Sequence, residues 1–340
     1  MKSIDFQGVI HEDVMNEIFN IDPIALPYQD MAGRESSDNQ YKSWVTEDLI
    51  AIKTDNRVLE GTDAGTAITV AQARIGNHHQ ISEKVVSVSD RSNEVNTIGY
   101  ANRLAHELMI AQKSLKRDME AMLLSNQASV EMKTTSTTAV GAAAGCANMI
   151  AAGNRQGVTS GGAFSAGIFS AIVPVASRGL TEKMIRDADE AAYNAGGMPS
   201  VLMSTPKMIR AISEYMFTAS ARIATLMSDA NVKKGKYGNQ GATAIGAVQV
   251  FTSDFGTYEL VPNQQQQTYD NGGTANVTIF LFEPRYWAVS YLQPITVKPL
   301  GATGSFERRH MTVDYTNMCL APKSSACIMA INPATAVVAA

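Results

Sequence analysis

Cysteine is scarce. Cys146, Cys319 and Cys327 are the only 3 in 340 residues, and no CxxC pair occurs. An odd, widely spaced set supports neither a disulfide framework nor a zinc site, and it fits a reducing compartment. Charge is also sparse, at 18% of residues against roughly 25% in an average soluble protein. The shortfall points to surface covered by partners instead of water. With 28 basic and 32 acidic residues the net charge is -4, which excludes a globally basic nucleic-acid binder. No apolar run approaches the ~18 residues of a membrane span. The longest, 166–176, is short and contains Pro174. Asp5, Glu12 and Asp13 interrupt any signal-peptide core, so neither secretion nor a membrane partner is expected.

Catalytic patterns are missing too. There is no GxSxG, no GxGxxG and no phosphate-cradling GxxxxGK[ST]; GAFSAG at 162–167 has the wrong spacing for a nucleophile elbow. His106-Glu107 begins like HExxH, but Ile110 stands where the second histidine belongs. His78 and His79 are adjacent; on a strand they point to opposite faces and read as two exposed polar positions. Asp187, Asp189 and Glu190 read as a solvated helix face, and Lys233, Lys234 and Lys236 as a solvated basic run. No catalytic residue, metal ligand or cofactor is expected.

What the chain does contain is order. At 45% hydrophobic, 340 residues bury a sizeable core unaided. Residues 10–20 suit a short helix, whereas 21–43, with Pro23, Pro27 and Gly33, read as an extended arm laid on another subunit. Strand-like 44–53 and 67–89 flank a polar turn, giving a long antiparallel hairpin with little core of its own. Leu104, Leu108, Ala111, Leu115, Met119 and Met122 mark one stripe of a helix over 97–126. The other faces carry Arg103, Glu107, Lys113, Lys116, Arg117 and Glu120. Residues 127–180 are rich in Gly, Ala, Ser and Thr and read as partly ordered loop. Thr181 is the expected N-cap of a second helix closed by Gly196 and Gly197; 199–205 reads as a buried strand, and Pro206 opens a third helix. Strands are expected at 247–254, 257–262, 277–283, 287–292, 308–315 and 325–331. The class is α+β.

Specific strings carry a resemblance. RIGNHHQISEKVVSVS at 74–89 followed by QKSLKRDMEAMLLSNQ at 112–127 resembles the hairpin return and spine helix of major head proteins of short-tailed phages. PSVLMSTPKMIRAIS at 199–213, SDFGTYELVPN at 253–263 and FEPRYWAVSYLQP at 282–294 resemble their axial-domain strands and helix. Spanning 44–332, the order of parts is similar to the tailed-bacteriophage major capsid protein with the Hong Kong 97-like fold.

The resemblance implies an N-terminal arm (1–43), an extended hairpin loop (44–92) and a peripheral domain (93–180) with the spine helix. An axial domain (181–290), peripheral return strands (291–332) and a C-terminal tail (333–340) follow. It implies a structural subunit forming hexamers and pentamers of an icosahedral or prolate head around double-stranded DNA. Partners would be other copies, a portal, scaffolding or decoration proteins, and DNA by weak non-specific contact. The location would be the virion, assembled in the host bacterial cytoplasm. Only some forty residues precede the hairpin, so scaffolding is expected to be separate or absent. Lys53, Asp55, Arg57, Glu60 and Asp63 put both charge signs at the hairpin tip and are the expected inter-subunit residues. A nanocompartment shell of the same fold and an unrecognised α+β enzyme are the rival readings.

Overall fold

The computed structural model describes residues 25–50, 52–63, 65, 69–70, 72–95, 102–133, 140–216, 250–301, 304–335 and 337. The helix expected at 10–20 and the lysines at 233, 234 and 236 lie outside these. The first described element is one turn of helix, α1 (Pro27–Met31), begun by Pro27. Strands β1 (Gly33–Ser36), β2 (Tyr41–Glu47), β3 (Gln72–His78) and β4 (Gln80–Ser89) follow. Next come α2 (Asp90–Glu94), the spine α3 (Arg103–Leu123) and α4 (Cys146–Met149). Five short strands succeed them: β5 (Arg155–Gln156), β6 (Val158–Ser160), β7 (Phe164–Ser165), β8 (Ile168–Phe169) and β9 (Val173–Pro174). Helix α5 (Glu182–Asn194), β10 (Val201–Ser204) and α6 (Pro206–Met216) come next. The remaining strands are β11 (Val250–Thr252), β12 (Thr257–Pro262), β13 (Tyr269–Asn271), β14 (Thr274–Phe282), β15 (Trp287–Pro299), β16 (Phe306–Cys319) and β17 (Ala326–Ile331).

Two sheets organise the chain. One has the order β1-β15-β16-β4; the other runs β11-β12-β10-β14-β17-β5, with β13 also on β14. The second sheet is a wall between two cores, and the pleat explains how. On β14, Val277, Ile279 and Leu281 face one cluster, and Phe280 and Phe282 face the other. Buried on both faces, the strand reads as a near-continuous apolar run. Helices α5 and α6 cover the first face with Ile185, Ala188, Met208 and Ile212. On the other, Phe280, Phe282, Trp287 and Tyr28 form an aromatic knot, with Phe282 edge-on to Trp287 at 5.1 Å.

The spine is 21 residues long, about 32 Å at ~1.5 Å per residue. Asn102 caps it, accepting from the Ala105 amide at 2.9 Å. The helix is shorter than the expected 97–126, and its apolar stripe is buried only from Leu115 onward; Leu108 is half-buried. Glu120, expected on a charged outer face, is fully buried. Its carboxylate accepts from the Tyr28 amide at 2.7 Å, the Gln29 amide at 3.1 Å, Gln29 Nε2 at 3.1 Å and Asn263 Nδ2 at 2.7 Å. The same bonds tie the arm to its own chain: Tyr28 is buried against Phe282 and Trp287, and β1 runs parallel to β15.

Residues 143–150 are ordered by packing, as expected of a partly ordered loop, with α4 a single turn. Ala143, Ala144, Cys146, Ala147, Met149 and Ile150 are all at most 1% exposed. A Cβ on Gly145 would lie 1.9 Å from the Ser125 carbonyl oxygen. Small residues there let the chain run against the end of the spine, where larger ones have no room. The hairpin is shorter than expected: β2 pairs with β3 from Tyr41–His78 to Glu47–Gln72. β4 leaves it after His79 and pairs with β16 in the four-stranded sheet. The helices from Thr181 and Pro206 stand where expected, with Thr181 Oγ1 accepting from the Met184 amide.

Candidate inter-subunit interface

Several contacts anchor the hairpin to its own chain. Trp44 Nε1 donates to the Cys319 carbonyl at 2.8 Å, and Lys323 pairs with Asp48 at 2.6 Å. Past them the chain enters solvent. Lys53, Asp55, Arg57, Glu60 and Asp63 are all exposed. Only Arg57 and Asp55 are brought together, at 2.9 Å, with side chains 92% and 74% exposed. So open a pair contributes at most about 1 kcal/mol.

Charge-based reading misses the apolar residues interleaved with those charges. Leu49 is 98% exposed, Ile52 95%, Leu59 78% and Val58 77%. With Ile50 at 50%, five large aliphatic side chains of one loop stand in water. The signal is present in DLIAIKTDNRVLEG, where aliphatics alternate irregularly with charge and fit no core-facing period.

Residues that resemble catalytic ones turn out to be structural. Asp189, expected on a solvated face, is buried and accepts from Ser253 Oγ and Tyr258 Oη, tying α5 to β12. Burial, then the Asp189 carboxylate, hold Tyr258 well above the usual phenol range. Asp187 instead pairs with Lys183 at 2.8 Å, and Glu190 is exposed. The three cysteines are free and buried. Burial pushes the Cys146 and Cys327 thiols up to about 12, which makes them inert. Among the described residues, no group of three or more His, Cys, Asp or Glu is placed to hold a metal ion. His78 and His79 correct another expectation: His79 is only 5% exposed, and His78 is partly buried.

Similarity to known proteins matches this architecture. Over 117 residues the chain is 33% identical to the major capsid protein of Escherichia phage Phieco32, an alignment covering 34% of this chain and 33% of that relative. The chain thus spans about a third of the length of the curated relative it matches. In fold it is similar to the capsid of a native GTA particle (TM-score 0.60, 11% identity, 97% of this chain and 98% of that one). It is also similar to the SrpI encapsulin of Synechococcus elongatus (TM-score 0.53, 10% identity, 99% and 98%). Phage-type shells and encapsulins share this Hong Kong 97-like fold, so fold alone does not separate them. Sequence does: the SU10 major capsid protein model matches residues 2–332, and the chain belongs to that family of structural, non-enzymatic phage head proteins.

Proposed function

We propose that the chain is the repeating subunit of a phage head, assembling through hexamers and pentamers into an icosahedral or prolate shell around double-stranded DNA. The observation that carries the reading is the hairpin loop. Residues 49–63 hold five exposed large aliphatic side chains and five charges on a segment with no core of its own. Such a loop gains its burial from a neighbour. A head-to-tail contact of this kind, repeated around an axis, closes into a ring, and rings tile a shell. On this reading the four-stranded sheet and spine form the peripheral part and residues 181–290 the axial part, with β17 carrying the returning chain into the axial sheet. DNA contact is weak and non-specific, as suits a net charge of -4. Portal, scaffolding or decoration proteins bind the shell, which assembles in the host cytoplasm.

The charges at the tip fix register more than they add affinity. Exchanging Arg57→Glu with Glu60→Arg is expected to lower shell yield in sedimentation while circular dichroism of the subunit stays native. The deficit should shrink in high salt, which screens exposed charges beyond ~10 Å at 0.1 M. Normal shell yield at low salt would remove the tip charges from the interface. Electron microscopy of the expressed chain tests the assembly itself: closed shells support the reading, and a stable small oligomer overturns it. Nucleic acid recovered from particles of infected cells separates a head from an enzyme-housing compartment.

A further inference from the structure

The N-terminal segment meets the spine at one level. The Tyr28 and Gln29 amides donate to Glu120, and Gln29 Nε2 donates to the Lys116 carbonyl at 2.9 Å. Met109, Lys113, Lys116 and Glu120 recur at spacings of four, three and four, so they share one face of α3. Residues 28 and 29 cover the Glu120 end of that face. Toward the other end, Met109 and its neighbour Ile110 are exposed large apolar side chains. The face is also basic, with Lys113, Lys116 and Arg117 on it or at its edge. The other acids of the helix are paired already, Glu107 with Arg103 at 3.9 Å and Asp118 with Lys84 at 2.6 Å.

We propose that residues 10–20 dock as an amphipathic helix on this face of their own spine. The segment carries the complementary pattern. Ile10, Val14 and Ile18 recur every fourth residue and make an apolar stripe. Asp13 and Glu17, also four apart, run beside it. Residues 10–22 hold four acidic side chains, Glu12, Asp13, Glu17 and Asp22, and no Lys or Arg. On the spine Lys113 and Arg117 are four apart as well, so both ladders of charge rise by about 6 Å per step. Acid then faces base along the contact while Val14 and Ile18 cover Met109 and Ile110. The hairpin loop is a poorer match for this face, because its charges are of both signs.

The lengths agree. Residues 21–25 join the segment to the latch and reach up to about 17 Å at ~3.3–3.6 Å each. Pro23 among them keeps the preceding residue out of helical geometry and so ends the helix before the latch. Glu120 and Met109 are eleven residues apart, about 16 Å along the spine. A helix over 10–20 is also about 16 Å long, so it spans the open part of the face. Tethering decides whose spine is taken. A linker this short holds the segment near its own spine at an effective concentration on the order of mM, which the same segment of another copy does not match among dilute subunits.

The test reads amide exchange of residues 10–20 in the free full-length subunit. Exchange at least tenfold slower than in a peptide of the same sequence is expected. Asp13→Lys with Glu17→Lys should bring the segment to the peptide rate and leave β14 unchanged. Adding Lys113→Glu with Lys116→Glu should restore the protection. Carbodiimide, which joins a carboxylate to a contacting amine, should link Glu12, Asp13 or Glu17 to Lys113 or Lys116 in the wild-type chain. In a mixture of isotope-labelled and unlabelled subunits these links should stay within one copy. Peptide-fast exchange at 10–20 in the wild type overturns the proposal. So does protection that the reversal leaves unmoved, or that the charge exchange fails to restore in a chain whose β14 stays protected. Links that join labelled to unlabelled copies give the face to another subunit's segment and overturn it as well. None of these readings needs an assembled shell, so their failure leaves the head function standing and their success does not presuppose it.

Discussion

Glu120 shows how one residue decides where a segment lies. Four donors converge on its carboxylate, three of them from Tyr28 and Gln29. The N-terminal segment is thereby latched to the spine. Burial outweighs those hydrogen bonds and holds the Glu120 pKa above its ordinary value of 4.5. A carboxyl whose folded pKa is raised binds its proton more tightly in the folded state. Its contribution to stability is therefore full below about pH 4.5 and is lost as pH rises through the folded value. Glu120→Gln should remove that part of the pH dependence, visible as a flatter stability profile in denaturant titrations above pH 4.5. At neutral pH it should also destabilise by about 1–3 kcal/mol, because the amide presents a donor where only donors face it. An unchanged profile would mean that Glu120 does not titrate in this window. Sequence hid this residue for a plain reason: a glutamate at the edge of a helical stripe looks solvated until the donors that reach it, from 91 and 143 residues away, are known.

Elements with a strong local period were legible, and those set by distant partners were not. The helices from Thr181 and Pro206, and strands such as β12 and β17, follow from caps, turns and apolar runs read locally. The segment 143–150 was legible as partly ordered loop, but the depth of its burial was not, because nothing local shows that a helix end presses on it. The hairpin was legible in outline, but its register was not: β4 is claimed by β16 over ten residue pairs, and a strand shared between two partners gives no sign of where it changes hands. The tip was read for its charges, yet its aliphatic side chains dominate on magnitude. Burying one Leu or Ile against a neighbour is worth about 1.5–3 kcal/mol, and an exposed ion pair ~0.2–1. Leu49→Ser with Ile52→Ser should therefore raise the subunit concentration needed for assembly by tenfold or more, since ~1.4 kcal/mol is tenfold. Light scattering against concentration measures it. Unlike the charge exchange, this defect should not be relieved by high salt, because apolar burial is not screened. Assembly at the wild-type concentration would show that the loop stays in water within the shell.

At the scale of the whole molecule, the two cores meet across one sheet, and the chain crosses that wall repeatedly. β10, β14 and β17 each send alternate side chains to opposite cores. The two cores should therefore unfold together, for neither keeps its wall without the other. The segment 27–36 belongs to this unit through Tyr28, Glu120 and the β1–β15 ladder. Residues 52–63, by contrast, are exposed throughout. Amide exchange tests the partition, because protection tracks the free energy of the opening that exposes each amide. In the free subunit, amides of 28–36 should be protected on the time scale of β14 and the second half of the spine. Those of 52–63 should exchange almost as fast as an unstructured peptide. On assembly only the second set should change by a large factor, slowing tenfold or more as the loop gains a neighbour's surface. Fast exchange at 28–36 in the free subunit would restore the view of an arm ordered by neighbours and would leave the Glu120 latch without a role. Unchanged exchange at 52–63 in closed shells would place the contacts that build the head elsewhere on the molecule.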